Sequence, residues 1–338
     1  MLFTTPTMTS VFRTALQQKS TTYHMLQRQT LGSIRQFSSQ VQPKKSKGSK
    51  ILLATFMGAG IVGGIMYNVC QTKVLPMKER AKTTAFDPTT FVSLKLIETI
   101  SLSHNTKLLR FAVPEGKDGK LPVASCVIAK YHKDGGLKPI IRPYTPVAEG
   151  NGHVDFIIKK YDDGKLTPII HDLKPGDSLD FKGPMIKYDW EKMPKKKVGM
   201  IAGGTGITPM LQIIRSVFDV NSTDKETKVT LIFANQTEDD ILLKDELDKI
   251  AKENPDRFKV VYALDKASEN WKGITGYVTK EVVKTHLPSP DEEDSIIFVC
   301  GPPPMVNSIA GSKIKMTQGP LGGILKELGY SQDHVFKF

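Results

Sequence analysis

The chain has 338 residues, enough for two domains and an appendage, and carries a formal charge of +12 from 47 Lys and Arg against 35 Asp and Glu. No acidic residue precedes Glu79, while residues 1–78 hold ten Lys or Arg, so the remaining 260 residues are nearly neutral, with 37 basic and 35 acidic groups. The excess belongs to an N-terminal arm, which removes the case for a nucleic-acid-binding protein; three cysteines, Cys70, Cys126 and Cys300, with no CxxC pair, speak against an iron–sulfur cluster, a zinc site or a disulfide framework.

Residues 1–37 contain Arg13, Lys19, Arg28 and Arg35, many Ser and Thr and no acid, the composition of a mitochondrial transit peptide. Arg35-Gln36-Phe37-Ser38-Ser39 resembles a matrix-peptidase site, with the cut between Phe37 and Ser38. A disordered basic tail has a similar composition. A basic linker, 38–50, with Lys44, Lys45, Lys47 and Lys50, leads into Ile51–Cys70, a run of 20 residues without a charge. That length spans a bilayer core of about 30 Å and predicts a transmembrane helix over 51–70. Lysines on both flanks leave its orientation open. A linker, 71–85, follows.

Over 86–190 the pattern is β. Val92–Ile97, Leu108–Val113, Ser125–Tyr131 and Gly152–Tyr161 are alternating runs separated by turn residues, with no helix among them, and they predict a small antiparallel barrel. From 191 to 338 strands and helices alternate. Strands are expected at Val198–Ala202, Lys228–Ala234, Phe258–Ala263 and Ser295–Val299. Helices are expected from Met210 to about Val220, at Leu242–Glu253, at Thr279–Thr285 and at Leu321–Leu328, giving a parallel sheet wound with helices.

Three segments carry chemistry. In the barrel, Arg142-Pro143-Tyr144-Thr145-Pro146 offers a permanently charged fork for a diphosphate and a tyrosine able to stack on or bond an isoalloxazine edge, between prolines that fix the backbone. Gly164-Lys165-Leu166-Thr167 is a second turn with a cation, a hydroxyl and free N–H groups. In the α/β half, Gly203-Gly204-Thr205-Gly206-Ile207-Thr208-Pro209 joins a strand to a helix, where glycines let the backbone and the helix N-terminus approach a pyrophosphate. About a hundred residues later a strand ends in Cys300-Gly301-Pro302-Pro303-Pro304-Met305, which puts Cys300 at the carboxyl edge of the sheet, where open α/β sheets bind ligands.

On these motifs, in this order and spacing, the chain resembles the ferredoxin-reductase-like flavoenzymes, and among them most nearly the NADH–cytochrome b5 reductases, in particular the membrane-anchored mitochondrial forms of fungi. The likeness runs continuously from Phe86 to Phe338. It implies FAD and NADH as cofactors and a flavin at the junction of an FAD barrel and an NADH domain. Arg142, Pro143, Tyr144, Thr145, Ile157, Lys159, Tyr161, Lys165, Leu166, Thr167 and Thr208 would hold FAD. Gly203, Gly204, Thr205, Gly206, Asp265, Cys300, Gly301, Pro302, Pro303 and Met305 would hold NADH. Relatives usually have Met and Ser at Leu166 and Thr167, an exchange that keeps the backbone donors and a hydroxyl. Asp265, after the third strand of the second domain, would accept from the ribose 2′-OH and repel a 2′-phosphate, with Lys266 beside it. Cys126 is expected in the strand core and Cys300 as a positioning residue, not a nucleophile.

The implied activity takes a hydride from NADH and passes single electrons to a cytochrome b5-type haem protein. The expected setting is a mitochondrial membrane, either the outer one or the inner one facing the intermembrane space, held by the single N-terminal helix. No metal is expected. Two other classes stay open on sequence: an electron-entry module for a different acceptor, and a tethered interaction protein on a decayed oxidoreductase scaffold. The second would be expected to have lost Arg142, Gly203 or Cys300.

Overall fold

The computed structural model describes residues 83–132, 138–150 and 152–338. The expected transit peptide, basic linker, transmembrane helix and most of the following linker lie outside the described residues. Among the described residues no helix is long and apolar enough to cross a membrane.

The first half is built from β1 (Thr83–Thr84), β2 (Val92–Ser103), β3 (Thr106–Ala112), β4 (Lys117–Asp118), β5 (Ser125–Tyr131), β6 (Ile140–Tyr144), β7 (Ala148–Gly150), β8 (His153–Lys159) and β9 (Ser178–Ile186). Seven of these form one antiparallel sheet in the order β6-β5-β9-β2-β3-β8-β7. Period-2 alternation sets the inner face: Leu94 and Leu96 are buried while Ser93, Lys95 and Ile97 are exposed. The sheet curls on itself. Phe181 of β9 stacks on Phe156 of β8 at 5.1 Å and meets Phe111 of β3 edge-on at 5.0 Å, although β9 is hydrogen-bonded to neither strand. The expected barrel is thus an antiparallel sheet wrapped around one core whose edges, β6 and β7, are joined by Thr145–Val147. Pro143 is tolerated because β6 is such an edge.

Two local expectations are corrected. The β half does contain a helix, α1 (Thr167–Asp172), because Leu166 and Ile170 drop into the core and Pro168 sits in the first turn, where no N–H is needed. At the end of the expected linker, β1 pairs with β4 and Ala85 is buried, its N–H donating to the Asp118 carbonyl at 2.6 Å.

The second half has β10 (Lys197–Gly203), α2 (Ile207–Phe218), β11 (Lys228–Asn235), α3 (Lys244–Glu253), β12 (Phe258–Leu264), β13 (Ile274–Thr275), α4 (Lys280–His286), β14 (Ser295–Cys300), α5 (Pro303–Ala310), α6 (Gly323–Glu327) and β15 (Val335–Lys337). Its six strands are all parallel in the order β13-β12-β11-β10-β14-β15. Near-continuous apolar strands are what a sheet covered on both faces requires. Met200, Leu231, Phe233 and Phe298 face α2 and α3, and Ile201, Ile232, Ile297 and Val299 face α4, α5 and α6. Winding therefore reverses at β10. The strand ends at Cys300 as expected, and the prolines that follow also start α5, a helix that sequence reading did not place: with no N–H and a fixed φ, proline suits the first helical positions.

Candidate functional site

The reversal puts the ends of β10 and β14 side by side, with Ala202 opposite Cys300 in the register. Such a switch point is where open α/β sheets leave a crevice. Two of the glycines there are needed for contact between the motifs rather than for approach to a ligand. A Cβ on Gly206 would fall 2.6 Å from the carbonyl carbon of Cys300, and one on Gly203 would fall 2.9 Å from Cδ of Pro302. Gly204 differs: its φ is +51°, a region that favours glycine, and nothing lies within 4 Å of where its Cβ would be. The space above that turn is open, which suits a dinucleotide diphosphate. Thr205 is half-buried, and Thr208, in the first turn of α2, is buried.

Cys300 is free and half-buried, and desolvation pushes its thiol up to about 12. A thiol so shifted is protonated at physiological pH and is a poor nucleophile. Gly301 and Met305 are half-buried beside it, and Pro302 and Pro303 are exposed. Cys126 is a core residue of β5, 4 % exposed, its thiol also raised by burial.

On the sheet edge β6, Arg142 is exposed; its Nη1 donates to the Ile141 carbonyl at 2.7 Å, and no carboxylate among the described residues pairs with it. Its charge is available, as an FAD diphosphate requires. Tyr144 and Thr145 are half-buried, and burial pushes the Tyr144 hydroxyl up to about 12. The next two residues are clamped by α2. Gln212 Nε2 donates to the Pro146 carbonyl at 3.1 Å, Gln212 Oε1 accepts from Ser125 N–H at 3.1 Å, and Arg215 donates to the Val147 carbonyl while gripping Glu246 at 2.7 and 2.8 Å. One helix therefore starts at the glycine turn and, a turn later, fixes the strand edge that carries Arg142 and Tyr144.

At the end of β8, Ile157 is buried in the cluster that contains Ile207, and β8 packs against Gly204–Gly206. Lys159 Nζ lies 3.1 Å from Asp240 Oδ1, and Thr237 Oγ1 donates to Asp240 Oδ2 at 2.8 Å. Desolvation works against the Asp240 carboxylate, but these hydrogen bonds outweigh it and hold its pKa below the ordinary range. Tyr161 and Lys165 are exposed.

Two expectations for the second turn change. The Leu166 side chain is buried in the core and offers a ligand only its backbone, and the Thr167 hydroxyl is bonded to the Tyr161 N–H at 3.1 Å and to its carbonyl at 3.4 Å. Asp265 is exposed just beyond β12, with burial raising its pKa against the pull of Lys266. Two strand spacings, roughly 10 Å, separate its strand from β10, whereas Cys300 is on the neighbouring strand on the other side. The candidate NADH residues thus spread along the sheet edge as an extended dinucleotide would.

Sequence reading missed Gln212, Arg215, Asp240 and Asn235. The first two had a visible signal, being long polar residues one turn apart on a helix that is largely apolar.

The Oxidoreductase FAD-binding domain family matches residues 93–190 and the Oxidoreductase NAD-binding domain family matches residues 200–311. NADH-cytochrome b5 reductase 2 of Pyricularia oryzae is 49 % identical over 252 residues, 73 % of this chain and 76 % of that protein. NADH-cytochrome b5 reductase 2 of Aspergillus fumigatus is 45 % identical over 301 residues, 87 % of this chain and 92 % of that one. The crystal structure of the cytochrome b5 reductase domain of Ulva prolifera nitrate reductase superposes with a TM-score of 0.65 at 29 % identity, covering 76 % of this chain and all of that domain. With an antiparallel FAD half, a parallel NAD half and both motifs at one switch point, the chain belongs to the NADH–cytochrome b5 reductase family of FAD-dependent oxidoreductases.

Proposed function

We propose that this FAD-dependent NADH oxidoreductase delivers electrons to a cytochrome b5-type haem protein and does so at a mitochondrial membrane. The observation that carries the reading is the contact of Gly206 with Cys300 at the switch point, beside the helix that clamps the Arg142 strand edge. When bound, FAD supplies the step between a two-electron donor and a one-electron acceptor.

The protein's part is position and electrostatics. Arg142 neutralises the FAD diphosphate, helped by Lys165 and by the backbone N–H groups of Leu166 and Thr167. Tyr144, flanked by Pro143 and Thr145, would hold the isoalloxazine ring, together with Ile157, Lys159, Tyr161 and Thr208. Gly204 and Thr205 would receive the NADH diphosphate, with Gly203 and Gly206 letting the two motifs close together beneath it, and Asp265 would read the ribose. Gly301, Pro302, Pro303 and Met305 would help hold the nicotinamide end of NADH, with Cys300 as the residue that would position it. Holding the hydride donor and acceptor in register is worth several kcal/mol of barrier.

The acceptor is argued from the named activity of the fungal relatives. The membrane setting rests on the residue pattern of the arm: the acid-free 1–37 and the uncharged run Ile51–Cys70. One experiment on isolated mitochondria tests both parts. NADH-dependent reduction of added cytochrome b5, lost with the gene and restored with it, is the expected result, together with alkaline-resistant membrane association and protection of the C-terminus from protease set by the orientation. Reduction of ferricyanide but not of cytochrome b5 overturns the acceptor, and release by alkaline carbonate overturns the anchor.

A further inference from the structure

At the carboxyl edge of the parallel sheet one polar side chain has been left without a partner. Asn235 ends β11, is 6 % exposed, and neither its Nδ2 nor its Oδ1 is hydrogen-bonded among the described residues. Buried amides are almost always bonded, because removing one from water without a replacement is costly. The surroundings do not ask for an amide: Phe233, Ala234 and Leu264 are its apolar neighbours along and across the strands. Its place is specific. Ala234 is opposite Gly203, β11 packs against Gly204–Gly206, and the Asp265 N–H donates to the Asn235 carbonyl at 3.0 Å. Asn235 thus stands between the glycine turn and the carboxylate proposed to read the ribose, on the side of the turn away from Cys300.

We propose that the Asn235 carboxamide binds the ribose of the adenosine half of NADH, donating from Nδ2 and accepting at Oδ1. This rests on the reading that the dinucleotide lies along this edge. A ribose hydroxyl can both give and take a hydrogen bond and so satisfies both orphaned atoms; a phosphate only accepts and would leave Oδ1 unpaired. A neutral amide also avoids a second negative charge beside Asp265. Asn235 is then a specificity residue for the adenosine half.

The test uses the full-length, FAD-loaded protein and the variants Asn235→Leu, which keeps the volume and removes both polar atoms, and Asn235→Ser, a smaller change should the first not fold. Affinity is measured for two fragments, ADP-ribose and nicotinamide mononucleotide, with KM and kcat for NADH and the melting temperature without nucleotide. The expected result is ADP-ribose binding weakened about tenfold, the loss of one well-made hydrogen-bonded contact, with KM raised to match. Mononucleotide affinity and kcat stay within about twofold, and the nucleotide-free melting temperature of the Leu variant is unchanged or higher, since an unpaired amide has been removed. Unchanged ADP-ribose affinity, or an equal loss for both fragments, overturns the proposal; a lowered melting temperature with intact affinity would show that the amide serves buried water. Hydrogen exchange of the wild type separates the two layers. If NAD⁺ protects the amides of Gly204–Ile207 but affinity does not depend on Asn235, only the Asn235 role fails. Absence of that protection removes the reading of the edge itself.

Discussion

Lys159 at the end of β8 and Asp240 after β11 form an ion pair at 3.1 Å that ties the antiparallel half to the parallel half, with side chains 16 % and 4 % exposed. Removing one member of a buried pair leaves the other charge stranded, at a cost of about 3–5 kcal/mol, whereas replacing both with apolar groups is often close to neutral. Asp240→Leu should therefore lower the melting temperature sharply, and adding Lys159→Met should recover much of the loss. Additive effects in a double-mutant cycle would show that the pair is not coupled.

Arg142 bears on flavin retention. Its guanidinium has no carboxylate partner among the described residues, so Arg142→Ala should leave the apoprotein fold intact while weakening FAD binding, and the holoprotein should melt earlier because a ligand of the folded state is lost. Full flavin content at an unchanged melting temperature would rule out the diphosphate contact.

Asp265 addresses the choice of nucleotide. Asp265→Thr removes both an acceptor for the ribose and a repulsive charge, and the ratio of kcat/KM for NADPH over NADH should rise by roughly 1–3 kcal/mol in free-energy terms. Steady-state kinetics with both donors measures it; a fixed ratio would move the discrimination elsewhere along the edge.

For Cys300 the protonated thiol implies placement rather than attack. Cys300→Ser should fold, keep FAD and bind NAD⁺ nearly normally while flavin reduction slows, because small displacements of a reacting carbon cost rate more than affinity. Rapid-mixing bleaching of the flavin by NADH gives the answer, and equal rates in the two proteins would make Cys300 purely structural.

Glu149 on β7 gives a pH dependence of stability. Burial raises its pKa from 4.5 to about 7, although its Oε2 accepts from the Leu121 N–H at 3.0 Å. A carboxyl whose pKa is higher in the folded state favours folding when protonated, so its contribution is full below about pH 4.5 and is lost as pH rises to about 7. Glu149→Gln, which keeps an acceptor, should be more stable than the wild type by roughly 1–3 kcal/mol at pH 8 and nearly equal to it at pH 4.5. A gain that does not vary with pH would show that Glu149 does not titrate in this range.

What the sequence by itself determined is local. Alternation at period 2 announced β2, β3, β5 and β8, uninterrupted apolar runs announced β10 and β14, and glycine and proline marked the turns, because each signal depends only on neighbours along the chain. The candidate contacts from Arg142 to Met305 came instead from the family resemblance that the motif order carries. What only the tertiary structure decided is pairing across the chain. The winding reversal at β10, the grip of Gln212 and Arg215 on Pro146 and Val147, the capture of Lys159 by Asp240 and the orphaned amide of Asn235 each join residues far apart in sequence, and no periodicity encodes a partner. Local rules also misled where packing overrode them. Leu166 and Ile170 draw Thr167–Asp172 into a helix because burying them on the barrel core outweighs the turn that Gly164 announces.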